Sequence, residues 1–175
     1  MDQLLFHPRI VHLPLALAAL MPFIVGGIAL AYMRGWLDRR TWVIVVLLQS
    51  VMFGSALLAM NTGEADEERV EEIVAQRHID AHEEAAELFT WTSAVVLALT
   101  MMPLFLGEGD LRNAIMIFSI VASAVTLAFG LRAGEAGGRL VYRYGAANAH
   151  LDQDGEPQDR IHAVEEYEDD ADTDE

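Results

Sequence analysis

Four long apolar runs dominate the sequence and limit the folds open to it. They cover about residues 10–33, 41–60, 85–106 and 112–132. A helix needs about 20 apolar residues to cross the hydrocarbon core of a bilayer. Backbone polar groups in that core must be bonded inside the protein, and a helix bonds them within one segment. We therefore predict an all-α integral membrane protein, a four-helix bundle in contact with lipid.

The first span should begin near Pro14, because proline fits the first turn of a helix and clashes further inside. The preceding stretch HPRIVH, residues 7–12, then lies at the membrane surface. The links at 34–40 and 107–112 are short turns.

The link between the second and third spans is longer and acidic, and it is expected to contain an interfacial helix. A row at i, i+4 spacing runs from this link into the third span and comprises Val70, Val74, His78, His82, Ala86 and Thr90. Such a row lies on one helix face.

Two segments follow the fourth span. The stretch AGEAGGRLVYRYG, residues 133–145, is rich in glycine, which predicts turns and close backbone approach. From Asp152 onward, 12 of 24 residues are acidic, which predicts disorder. The chain therefore divides into a membrane domain, 1–147, and an acidic tail, 148–175.

The charge and the residue types exclude several classes of protein. The formal net charge is −16, so nucleic acid would be repelled. The chain has no cysteine, which excludes disulfides, iron–sulfur ligation and covalent c-type haem. No nucleophile triad, phosphate loop or glycine-rich cofactor fingerprint is present, so substrate chemistry of its own is not expected.

Four membrane-proximal histidines fall on one side of the membrane. With four spans, both termini and the link 61–84 share that side, which places His7, His12, His78 and His82 together. The first short loop holds Arg34, Arg39 and Arg40, which favours a cytoplasmic loop and an outer histidine face. The opposite side also holds arginines, among them Arg69, Arg77, Arg139 and Arg143.

Two polar features inside the spans indicate helix packing. Ser119 and Ser123 form a small-xxx-small face that permits close helix contact. Gln49 and Ser50, in the middle of the second span, are candidates for hydrogen bonds across the bundle.

Four motifs in fixed order resemble a bacterial and archaeal family of membrane proteins, domain of unknown function 2231. They are HPRIVHLP before the first span, NTGEADEE after the second, HIDAHEE before the third and GGRLVYRYG after the fourth. The resemblance covers residues 7 to about 147. Members of that family occur fused to Rieske-type or cytochrome c domains, so the resemblance implies a prokaryotic membrane and redox partners. Tyr144 stands where the family often has a histidine, so the last motif is not expected to supply a ligand.

The histidines favour a shared cofactor site, and b-type haem is the first candidate. His78 and His82 are spaced i, i+4, so both rings project from one helix face. Membrane helical bundles hold haem iron between two axial histidines. His12 and His82 lie nearest to their spans and are the preferred axial pair. His7 and His78 are candidates for a second haem, for propionate contacts or for proton transfer, and Arg9 and Arg77 are placed to pair with propionates.

A non-haem metal is the main alternative. Imidazole together with carboxylate suits copper, zinc or iron. Glu64, directly after the glycine that ends the second span, is the carboxylate candidate beside His7, His12, His78 and His82. A third possibility is that all these histidines are structural.

The sequence thus predicts a membrane b-type cytochrome-like protein that transfers electrons. The alternatives are a metal-binding membrane protein and a non-catalytic subunit of a larger membrane complex. Its expected partners are other redox proteins, including a basic cytochrome that the acidic surface would steer.

Overall fold

The computed structural model describes residues 10–71 and 74–146, with side chains at all of these except residues 64–69. The helices are α1 His12–Met33, α2 Trp42–Glu71, α3 Gln76–Phe105 and α4 Asp110–Tyr142. A 3-10 turn, Arg39–Thr41, precedes α2. All four helices are long and apolar enough to cross a membrane, which confirms the predicted four-helix membrane bundle.

The helices form a ring in chain order, and α4 closes it by packing on α1. We call one end the histidine end, formed by the starts of α1 and α3 and the ends of α2 and α4. The other is the arginine end, formed by the connections 34–41 and 106–109. His7, Arg9, His150, His162 and the acidic tail lie outside the described residues.

Small and medium side chains line the inner face of α1, and Trp42 of α2 and Phe89 of α3 are large members of the same core. On α1 the inward residues Ala18, Met21, Val25 and Ala29 recur every three or four positions and are at most 1% exposed. Large apolar side chains such as Phe23 and Phe105 face outward to lipid. Because lipid tails are as apolar as these side chains, close packing must hold the helices together. Ser119 and Ser123 are buried, as the small-xxx-small pattern predicted.

Three helices, α2, α3 and α4, extend beyond the predicted spans at the histidine end. The acidic link is helical as expected, but it is the distal part of α2 and ends at Glu71. The backbone N–H of Val74 closes the last turn on Val70, and α3 starts afresh at Gln76, so the predicted row is interrupted before His78.

The turns predicted for residues 133–142 are wrong, because α4 continues to Tyr142. The left-handed turn of this stretch comes later, at Gly145 with φ 74°. The glycines of α4 act through their lack of a side chain, which lets α1 and α3 approach this helix.

Buried polar side chains of α2 bond to the backbone of α3. The indole Nε1 of Trp42 donates to the carbonyl of Thr100 at 2.8 Å, and Nε2 of Gln49 donates to the carbonyl of Ser93 at 3.1 Å. The cross-bundle bond predicted for Gln49 is therefore confirmed. The one predicted for Ser50 is wrong, since its hydroxyl bonds to Val46 of its own helix.

Arg112 connects three elements at the arginine end. Its side chain is 2% exposed, and it donates to the hydroxyl of Tyr32 on α1 at 2.6 Å and to the carbonyl of Leu106, just after α3. Lys or Arg near a helix C-terminus satisfies carbonyls that have no partner within the helix. Arg112, at the start of α4, therefore joins this helix to the ends of α1 and α3.

We expect Tyr32→Phe to lower the free energy of unfolding by about 1.5–3 kcal/mol, because a buried charged donor loses its acceptor. Tyr142→Phe is the matched control, since Tyr142 is 93% exposed and the change there should be within about 0.5 kcal/mol. Unfolding of both variants in mild detergent measures the difference. Equal stability of the two variants would show that Tyr32 contributes nothing to holding Arg112.

Candidate functional site

The histidine end brings together three of the predicted site histidines. His12 begins α1, and His78 and His82 lie in the first two turns of α3. His12 is exposed, whereas His78 and His82 are half-buried. The backbone of Glu64 lies in α2, but its side chain is outside the described part of the structure, as are His7 and Arg9.

A backbone carbonyl of α4 orients the ring of His82. Nδ1 of His82 lies 3.2 Å from the carbonyl oxygen of Ala133. A carbonyl only accepts, so Nδ1 carries the proton and donates it. In the neutral ring the lone pair then lies on Nε2, so Nε2 is the nitrogen with ligand character. Metal-bound histidines in proteins are usually oriented by such a bond from the other nitrogen.

Gly137 makes room for this ring on α4. A Cβ atom at Gly137 would come within 3.0 Å of Cε1 of His82. Glycine therefore allows the imidazole to lie directly against the backbone of α4. The close backbone approach predicted for this glycine-rich stretch is confirmed here.

α1 packs on the same glycine-rich part of α4 through Leu15. Its side chain lies 3.4 Å from a Cβ placed at Gly130 and 3.6 Å from one placed at Gly134. His12 precedes Leu15 by three residues, and Gly137 follows Gly134 by three. With a rise of about 1.5 Å per residue and antiparallel helices, both steps lead about 4.5 Å toward the same end. His12 and His82 therefore belong to the two helices that flank α4, at the height of Gly137.

An aromatic stack lies beside this arrangement. The rings of His78 and Tyr144 are 3.9 Å apart and inclined by 15°. The guanidinium of Arg143 lies 5.8 Å from the centre of the Tyr144 ring. Nε of Arg77 donates to Nε2 of His78 at 3.3 Å, so this nitrogen of His78 acts as an acceptor.

Tyr144 is a residue of this end that the motif pattern does not predict. The resemblance indicates only that a ligand histidine is absent at this position, whereas the structure shows the Tyr144 ring packed flat on His78. The sequence signal for this contact is the position of Tyr144 directly before Gly145. The turn at Gly145 brings the segment after α4 back to α3. The buried cluster of Val74, Ile79, Leu140 and Ala146 holds this segment in position.

The described acids do not gather around these histidines as a metal site. Among the residues with described side chains, no group of three or more His, Asp or Glu residues could hold a metal ion. Glu84 on α3 is exposed, and Glu83 is half-buried. The chemistry visible at this end is therefore that of oriented imidazoles next to an aromatic and two guanidinium groups.

The comparisons with known proteins identify a family. The family model described as a predicted membrane protein, DUF2231, matches residues 4–150. No curated protein and no solved structure matches the chain.

We expect Gly137→Ala to push the ring of His82 away from Ala133. Alanine in a helix is favoured over glycine by about 0.5–1 kcal/mol, and the lost hydrogen bond would cost about 0.5–1.5 kcal/mol. Gly138→Ala is the control, since a Cβ there meets nothing within 4 Å. The control should therefore gain stability, whereas Gly137→Ala should gain none.

The ¹⁵N chemical shift of His82 Nδ1, compared among wild type and both variants, measures the hydrogen bond itself. An unchanged shift in Gly137→Ala would contradict the close contact.

Proposed function

We propose that this protein, which belongs to the DUF2231 family of membrane proteins, is a b-type cytochrome that transfers electrons at the histidine end of its bundle. His12 of α1 and His82 of α3 are the axial ligands in this proposal. The protein then has no substrate chemistry of its own and exchanges electrons with redox partners in a prokaryotic membrane.

The observation that carries the proposal is the orientation of His82. Its Nδ1 is bonded to the carbonyl of Ala133, so the ring presents Nε2 as the ligand nitrogen. Hydrogen bonding of Nδ1 also makes the ring a stronger ligand and keeps it in one rotamer. These are the properties required of an axial histidine.

The position of His12 supports the choice of partner. Two axial histidines from separate helices suffice for haem iron. His12 and His82 come from the two neighbours of α4 and share the height of Gly137. When bound between them, haem would supply a reversible one-electron carrier.

The polar groups beside the stack suit the propionates of such a cofactor. The guanidinium of Arg77 has five N–H donors, and its Nε–H is directed to His78. The other N–H groups match the geometry of a carboxylate. Tyr144 stacks on the face of the His78 ring while Arg77 donates to its edge, so His78 has contacts on its face and at its edge.

A specific observation favours a second candidate, a non-catalytic subunit of a membrane complex. His82 bonds α3 to α4, and His78 packs α3 on the segment that follows α4. Both contacts would also serve a purely structural role. The absorption spectrum separates the two functions.

The arrangement of charges favours histidines on the outer side of the cell membrane. Arg34, Arg39 and Arg40 are exposed in the first loop of the arginine end. Short loops rich in arginine stay in the cytoplasm, which leaves the histidine end and the acidic tail outside. A donor with a basic surface, such as a basic cytochrome, would be attracted there.

Purified protein should show a Soret band and, when reduced, the α-band of a six-coordinate b haem. His12→Ala and His82→Ala should each abolish this spectrum, because the iron loses an axial ligand. His150→Ala and His162→Ala, in the tail, are the matched controls and should leave it unchanged. Partial loss in His7→Ala or His78→Ala would indicate a second haem.

Three results would contradict the proposal, the first in its choice of ligands and the other two in the haem itself. An unchanged spectrum in His12→Ala excludes this axial pair. Protein that stays colourless after haem supplementation but holds stoichiometric copper, zinc or iron is a metal-binding protein, with Glu64 as a further ligand to test. Protein with neither haem nor metal is best described as a structural subunit.

Deletion of residues 152–175 tests the partner. We expect an intact spectrum but slower electron exchange with a basic cytochrome, and a smaller effect of salt, because screening acts on the steering charges. Stopped-flow kinetics at low and high ionic strength measure both effects. Unchanged rates at low salt would exclude docking by the tail.

A further inference from the structure

The middle of the bundle contains a polar amide whose hydrogen-bonding capacity is only partly used. Gln49 is 0% exposed, and its Nε2 donates to the carbonyl of Ser93. Its Oε1 is buried and has no hydrogen-bond partner. Exchange of the two amide atoms does not resolve this, because Oε1 would then face the carbonyl oxygen of Ser93.

The helix contacts place a threonine of α4 at the same height. Phe89 of α3 packs against Gly130 of α4, with ring atoms 3.1 Å from a Cβ placed there. Four residues further along α3 is Ser93, and four residues back along α4 is Thr126. In antiparallel helices both steps lead about 6 Å in the same direction. Gln49, Ser93 and Thr126 therefore form one layer, and each is at most 1% exposed.

The hydroxyl groups of this layer direct their hydrogens to their own helices. Ser93 donates to the carbonyl of Thr90 at 2.7 Å, and Thr126 donates to the carbonyl of Ala122 at 3.0 Å. Their oxygen lone pairs remain as acceptors. The layer therefore combines an unpartnered amide oxygen with hydroxyl acceptors.

We propose that this layer, at Gln49 and Thr126, binds one internal water molecule. The water would donate one hydrogen to Oε1 of Gln49 and the other to Oγ1 of Thr126. Buried waters in proteins satisfy such groups with two to four hydrogen bonds. An amide oxygen left without a donor in a membrane interior is costly, which gives the water its affinity.

The layer offers neutral oxygen acceptors, and these suit a water molecule better than an ion. The acceptor groups would repel an anion. A cation would meet oxygen atoms but no carboxylate in this layer, and an isolated charge in such surroundings is far more costly than a neutral donor. Water provides two donors and no net charge.

Infrared spectroscopy of protein labelled with ¹³C at the glutamine side-chain carbonyls tests the site. The difference between wild type and Gln49→Met isolates the Gln49 band. We expect it at the lower frequency of a hydrogen-bonded amide, without dependence on sodium concentration. Thr126→Val, which keeps the shape and removes an acceptor, should shift the band to higher frequency. Ser50→Ala, on the exposed face beside Gln49, should not.

The outcomes decide between water, a cation and a dry layer. A Gln49 band at the frequency of a free carbonyl would overturn the proposal. So would a band that reaches its low frequency only when sodium is added, since a cation would then occupy the layer. A band unmoved in Thr126→Val would exclude the assigned site. The spectra of Thr126→Val and Ser50→Ala are compared directly with that of the wild type, so this comparison holds even if Gln49→Met does not fold.

Discussion

The lipid environment is the constraint on which the rest of this structure depends. Backbone N–H and carbonyl groups have no water to bond to inside a bilayer, and each of the four spans bonds them within one long helix. Lipid also removes most of the hydrophobic gain from helix association, so close packing and interhelical bonds must supply it. The bundle accordingly has a closely packed interior and polar side chains that reach backbone carbonyls across helix contacts.

Polar side chains inside the ring obey the same constraint in two ways. Trp42 and Gln49 give their hydrogens to carbonyls of α3 and thereby link two helices. The hydroxyls of Ser119, Ser123 and Thr126 bond to carbonyls of their own helix, which lets α4 carry polar groups at little cost. Gln49 differs because an amide has both donor and acceptor atoms, and the neighbouring helices satisfy only the donor.

The two ends of the bundle use ionisable residues differently. At the arginine end, Arg112 is buried, and its bonds to Tyr32 and Leu106 hold three helix ends together. At the histidine end, half-buried imidazoles lie against glycine and tyrosine of the α4 region. The first arrangement is a structural clamp, whereas the second orients the imidazole rings of α3 through contacts with the α4 region. This asymmetry is why the proposed function is placed at the histidine end.

The length of the apolar runs alone determined the number of membrane spans. Because each crossing reverses the chain, the number of spans also determined that His12, His78 and His82 lie on the same side of the membrane. Sequence also marked Gln49 and the serines of α4 as interior residues, because polar groups avoid lipid. Only the tertiary structure decided that α4 continues through its glycines, since packing by α1 and α3 outweighs their low helix propensity. It alone decided that His82 bonds to Ala133 and that His78 stacks on Tyr144. These contacts join residues 51 and 66 positions apart, and their distances depend on helix rotation, which hydropathy does not encode.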